Sequence, residues 1–97
     1  MIKKEILPDS VVVREEKGYL ASAVGDELVM MGIASGNYVG MNSVGSVIWG
    51  LLEQPIQVNE VTARLMEIYD VRKEDCEKQV LNYLRKIQEQ GMLIIAC

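Results

Sequence analysis

The sequence predicts an α+β domain in which a three-stranded antiparallel sheet is followed by three helices. The first half of the chain is cut into short apolar runs by Gly-containing turns, the pattern of a strand meander. From Ser43 onward the apolar residues recur at helical spacing instead, a change of period that marks amphipathic helices. A length of 97 residues suits one domain with one modest core.

The first run is β-branched, Val11 to Val13 within SVVVRE, and is closed by the charge cluster Arg14 to Lys17 and then Gly18. YLASAV and ELVMMGI flank Gly25-Asp26. Gly tolerates positive φ and Asp bonds its own backbone, so this pair reads as a hairpin turn. ASGN, residues 34–37, makes the next turn and hands over to YVGM. Strands are expected over about 19–24, 27–33 and 37–41. Alternation along the third puts Val39 and Met41 on one face and Tyr38 and Gly40 on the other.

Val44, Val47, Ile48, Leu51 and Leu52 form the stripe of the first helix. Asn42 or Ser43 sits where an N-cap belongs, and Pro55 ends the segment. A second helix is expected over about 58–69, with Val58, Val61, Leu65 and Ile68 on one face and Gln57 as a poor cap. The third covers about 73–90, with Val80, Leu84 and Ile87 flanked by Leu81 and Tyr83. Glu74 and Asp75 suit the positive end of its dipole, and Gly91 suits position C′. MLIIA then leaves as a short apolar tail. Three helices with a small sheet follow the general plan of a winged helix-turn-helix.

Composition narrows the function. The chain is 49% hydrophobic and 25% charged, ordinary values for a globular domain. A net charge of −4 argues against a nucleic-acid binder, which needs basic surface to displace counterions from phosphates. The third helix region carries five basic residues between Arg72 and Lys86 and four acidic ones between Glu74 and Glu89, too balanced to track a phosphate backbone. No run approaches the roughly 18 apolar residues of a membrane span, and MIKKEILPDS lacks the apolar core of a signal peptide, so a cytoplasmic protein is expected. There is no histidine, and the two cysteines, Cys76 and Cys97, are not spaced for metal. Zinc sites and histidine acid–base chemistry drop out, and no cofactor is expected. The serines lie in no nucleophile elbow. The acidic pairs are sequence neighbours, which do not face each other on a helix. The glycines at 36, 40 and 45 lack the spacing of a phosphate loop. Cys76, Trp49 and most of the six methionines read as core.

The chain therefore points to binding rather than catalysis. The last strand of a meander is an edge, and Asn37 to Met41 carries no proline or charge to blunt it. Such an edge suits β-augmentation, in which an extended peptide adds a strand. The other uses of that edge are pairing within the fold and pairing in a dimer.

The run GNYVGMNSVGSVIWGLL resembles the signature of the PqqD-like family. This family includes the D chaperone of pyrroloquinoline quinone biosynthesis and the leader-binding proteins of lasso peptide pathways. Its pattern is a strand ending in Leu-Asn, two small residues, and an Ile-Trp-x-Leu-Leu helix. The matching residues are Met41-Asn42 and Ile48-Trp49-Gly50-Leu51-Leu52. VVVRE, LVMMG, IYDV and LNYLRKIQEQGML extend the likeness from about Val11 to Leu93. Met41 replaces the usual Leu, and Gln57 and Arg72 replace Ser or Thr caps at a cost of about 1 kcal/mol each.

The resemblance implies a recognition element for ribosomally made, post-translationally modified peptides. It implies that a precursor's leader docks on Asn37, Tyr38, Val39, Gly40 and Met41 as an added antiparallel strand. The groove wall would come from the third helix through Val80, Tyr83, Lys86 and Ile87, with Lys86 meeting an acidic leader residue. The partners implied are that leader and a separate modifying enzyme, a leader peptidase or a radical SAM enzyme, with no nucleic acid and no membrane. The domain itself would be a monomer or weak dimer. A proline within 37–41 is expected to block binding, with Val39→Pro as the test.

Overall fold

The computed structural model describes residues 5–96. The start MIKK and Cys97 therefore lie outside the described residues. The strands are β1 (Val11–Arg14), β2 (Tyr19–Val24), β3 (Glu27–Gly32), β4 (Tyr38–Met41), β5 (Ile56–Gln57) and β6 (Leu93–Ile95). The helices are α1 (Ser43–Leu51), α2 (Val58–Ile68) and α3 (Lys73–Glu89).

The expected meander forms as an antiparallel sheet in the order β2-β3-β4. Its first turn is the two-residue link Gly25-Asp26 between Val24 and Glu27, with Gly25 at φ 65°. A second sheet, in the order β5-β1-β6, corrects the expectation of a single sheet. MLIIA is not a free tail. Leu93, Ile94 and Ile95 pair antiparallel with Arg14, Val13 and Val12, and Met92 and Leu93 are buried. The chain reverses into β6 through a Schellman cap. Met92 N–H donates to the Ile87 carbonyl at 2.9 Å and Gly91 N–H to the Gln88 carbonyl at 3.0 Å, with Gly91 at φ 76°. That left-handed geometry is why a glycine stands there.

The helices obey the expected spacing with two changes. In α1 the buried positions are Gly45, Ile48 and Trp49, with Leu52 just beyond, while Val44, Val47 and Leu51 are half-buried. The buried stripe is rotated because Trp49 lies under Arg14 of β1. The Arg14 guanidinium carbon stands 5.2 Å from the ring centroid, and Nη1 donates to the Trp49 carbonyl at 3.1 Å. A cation from β1 thus reaches the negative end of a helix that has no basic residue in its own last turn. In α2, Thr62 joins Val58, Val61 and Leu65 inside, and Ile68 is 59% exposed where the helix ends. Gln57 and Arg72 make no side-chain cap bond, as their chemistry predicts. Cys76 is packed in the core, its burial raising the thiol pKa.

Val12, Leu52, Val61, Val80, Leu84, Ile87 and Met92 fill the centre between the helices and the two sheets. Met30 and Met41 extend this core to the inner face of the meander, which α1 covers. At the other end of β2, the Tyr19 hydroxyl donates to the Gln90 carbonyl, tying the meander to the end of α3.

Candidate functional site

Asn42 decides where β4 stops. Its side-chain Oδ1 accepts from the Gly45 N–H at 2.9 Å, capping α1 directly after Met41. The strand is thereby delivered rigidly into a helix packed on the core. Burial follows the predicted alternation. Met41 is buried and Val39 half-buried, while Gly40 is exposed and Tyr38 is 70% exposed.

β4 pairs with β3 on one side only. The register is Leu28↔Met41, Val29↔Gly40, Met30↔Val39 and Met31↔Tyr38. The Gly32 N–H donates to the Asn37 carbonyl at 2.8 Å. Because hydrogen-bonded pairs alternate along an antiparallel ladder, Val39 and Met41 also direct their backbone groups at β3. The N–H and C=O groups of Tyr38 and Gly40 point outward, away from the sheet. This corrects the choice of Val39 for a proline test, since its N–H belongs to the internal ladder.

Beside this edge lies an open cleft of about 110 Å³ lined by Val39, Gly40, Met41, Asn42, Tyr83, Lys86 and Ile87. Of the nine residues singled out from sequence, six meet in it. Asn37 and Tyr38 stand at the start of the strand beyond its lining, and Asn37 N–H donates to Ser35 Oγ at 3.2 Å. Val80 has no exposed surface and belongs to the core rather than the cleft wall. Ile87 is nearly as buried but shows one edge to the cleft.

The cleft wall is set by Tyr83, whose hydroxyl donates to Met41 Sδ at 3.2 Å. Burial pushes its phenol well above the ordinary tyrosine range, so it remains a neutral donor. A Cβ on Gly45 would lie 3.0 Å from Tyr83 Cε2, so any larger residue there would require the ring to give by a few tenths of an ångström. Sequence reading passed over Gly45 and Asn42 as site residues. The available signal was a glycine at the third position of a helix, where it costs about 1 kcal/mol relative to Ala and calls for a packing reason. Gly40 faces open space, with nothing within 4 Å of where a Cβ would be. Lys86 is the one charged residue in the lining.

A larger cleft of about 360 Å³ lies on the opposite flank of α3, with Pro8, Ala63, Met66, Lys73, Glu77 and Leu81 among its walls. It has more room, but the edge strand that leads into it, β5, is only two residues long, against four in β4. Backbone donors and acceptors in a row are what hold an extended peptide, so the smaller cleft is the candidate site.

A family model described as coenzyme PQQ synthesis protein D (PqqD) matches residues 27–93, more than half of the sequence. The chain belongs to the PqqD family. The PqqD match spans β3 to the start of β6 and so includes β4, α1 and α3. A solved structure of TbiB1 in complex with the TbiA(beta) leader peptide is 27% identical over 79% of this chain and 90% of the other, with a TM-score of 0.71. A lasso peptide synthetase B1 complexed with the leader peptide shares the fold. It has a TM-score of 0.74 and 19% identity over 86% of this chain and 96% of that one. No curated protein matches the chain.

Proposed function

We propose that this PqqD-family domain binds the leader of a ribosomally synthesised precursor peptide and presents it to a separate modifying enzyme. The leader adds to β4 as an antiparallel strand. Its backbone pairs with Tyr38 and Gly40, and alternate side chains enter the cleft walled by Met41, Tyr83 and Ile87, with an acidic leader residue beside Lys86. The unpaired edge of β4 above that cleft carries the reading. The leader peptide bound to TbiB1, a relative of similar fold, supports it. The domain acts by binding and orienting, and the chemistry belongs to its partner.

The decisive variant is Gly40→Pro. Proline on an edge strand is tolerated where its missing N–H faces outward, so the fold survives. The outward donor is lost, and the ring stands where the added strand would come. Fluorescence titration with a labelled leader should show affinity reduced at least about tenfold, more than one lost hydrogen bond of about 1 kcal/mol would give. Gly40→Ala keeps the N–H and should bind nearly as the parent does. Undiminished binding by a folded Gly40→Pro protein would sink the strand-addition mechanism.

The enzyme we propose is a leader peptidase of the lasso type. The description of the family model, coenzyme PQQ synthesis, favours a second reading in which the partner is a radical SAM enzyme. Mass spectrometry of the precursor after incubation with the domain and the enzyme separates them. A peptidase yields a severed leader, whereas a radical enzyme leaves an uncut peptide of altered mass.

A further inference from the structure

An antiparallel sheet with a helix on one face ordinarily turns polar residues to solvent on the other. The β2-β3-β4 sheet does so only at Ser22 and Glu27. Its register places Leu20, Val24, Val29, Met31 and Tyr38 with them and Gly40 on the face away from α1, and Ile33 follows in the turn after β3. Leu20 is 54%, Val24 62% and Ile33 60% exposed. Half of the large exposed apolar side chains of the described residues, namely Leu20, Val24, Ile33 and Tyr38, lie in this one unit. Apolar side chains gathered on one exposed face mark an interaction surface.

Charge says what kind of surface fits. From Gly18 to Ala63 the chain has no lysine or arginine, and the hairpin tip carries Asp26 and Glu27. Between Gly18 and Met41 the only charged side chains are Asp26 and Glu27 at the hairpin tip, so two copies meeting at their tips would repel. A partner with an apolar patch bordered by lysine or arginine would gain at both the centre and the rim. Position narrows the partner further. Tyr38 belongs to this face through its side chain and to the β4 edge through its outward backbone groups. A protein seated on the face thus touches the strand on which the leader is proposed to lie.

We propose that the outer face of the β2-β3-β4 sheet is the docking surface for the modifying enzyme, which meets it with an apolar patch bordered by basic residues. This rests on the leader-presentation reading for the enzyme's identity, while the surface itself stands on exposure and charge.

The test uses the full chain and the purified modifying enzyme encoded beside its precursor. Two variants are compared with the parent: Leu20→Ser combined with Val24→Ser, and Glu27→Lys. All three side chains are exposed, so folding is unaffected, as circular dichroism checks. Both variants should bind the enzyme at least about tenfold more weakly while keeping leader affinity unchanged. Unchanged enzyme affinity in both would overturn the proposal. So would a parent that sediments as a dimer and becomes monomeric on Leu20→Ser with Val24→Ser, since the occupant would then be a second copy. Enzyme binding is measured with and without leader. A parent that fails to bind leader refutes the presentation reading alone, and the leader-free comparison still decides the docking surface.

Discussion

Tyr83 shows how much one residue can carry. It packs against α1 at Gly45, bonds Met41 and forms the cleft wall. Its folded pKa is raised by burial, so the native state favours the protonated phenol. As pH rises, the unfolded chain releases its proton first. The stabilisation is therefore complete below the unfolded value of about 10 and is lost as the pH climbs through the folded value. Tyr83→Phe should flatten the alkaline loss of stability while costing within about 1 kcal/mol at neutral pH. Urea titrations at about pH 8 and about pH 11 check this, and equal alkaline losses in both proteins would show that Tyr83 is not the group responsible. Gly45→Ala gains about 1 kcal/mol in helix propensity but drives the Tyr83 ring outward, so leader affinity should fall severalfold even if thermal stability holds. The single residues legible in the sequence were those whose role is local chemistry. Asn42 caps its own helix, Gly25 makes a turn and Gly91 takes the left-handed C′ position. The Gly45–Tyr83 contact joins residues 38 apart in sequence, and no local pattern reports it.

At the scale of elements, the three helices and the meander were legible because each has a period several residues long. β1, β5 and β6 are four, two and three residues long. β5 and β6 are too short to show a period, and although β1 reads as the run Val11 to Val13, its partners are distant in sequence. Val12 pairs with Ile56 on one side and Ile95 on the other. The hydrogen-bond phase of β4 was likewise unreadable. Alternation fixes which side chains share a face, but which N–H groups face outward depends on the register with β3. The correction to MLIIA has a direct consequence. Ending the chain after Met92 removes the buried Leu93 and leaves β1 as an edge, a loss expected to exceed about 3 kcal/mol given the usual cost of deleting a buried leucine. A urea midpoint that does not move would return the segment to the status of a tail. Hydrogen exchange tests the phase of β4. Amides of Tyr38 and Gly40 should exchange quickly in the free domain and slow sharply with leader bound, while Val39 and Met41 are slow in both.

For the whole molecule, the question is which polymer this fold takes, since three helices on a small sheet also suit a DNA-binding plan. In that plan α3 would enter a groove. Its lysines and arginines, Lys73, Lys78, Arg85 and Lys86, are matched by Glu74, Asp75, Glu77 and Glu89 on the same helix, and the chain as a whole carries −4. Duplex binding gains its free energy by releasing counterions and therefore strengthens steeply as salt falls. The proposed leader binding at β4 would draw instead on backbone pairing and apolar burial. Its one lining charge, Lys86, contributes no more than about 1 kcal/mol at an exposed position. Titrating a labelled leader and a labelled random duplex in parallel, at about 50 mM and about 300 mM salt, separates the two mechanisms by their slopes. The expected outcome is leader affinity changing no more than about fivefold between the two conditions, a change abolished by Lys86→Ala, with no duplex binding in either. Duplex binding that appears at low salt and vanishes at high salt would place the nucleic-acid surface on α3. The cleft between β4 and that helix would then have to be read as packing.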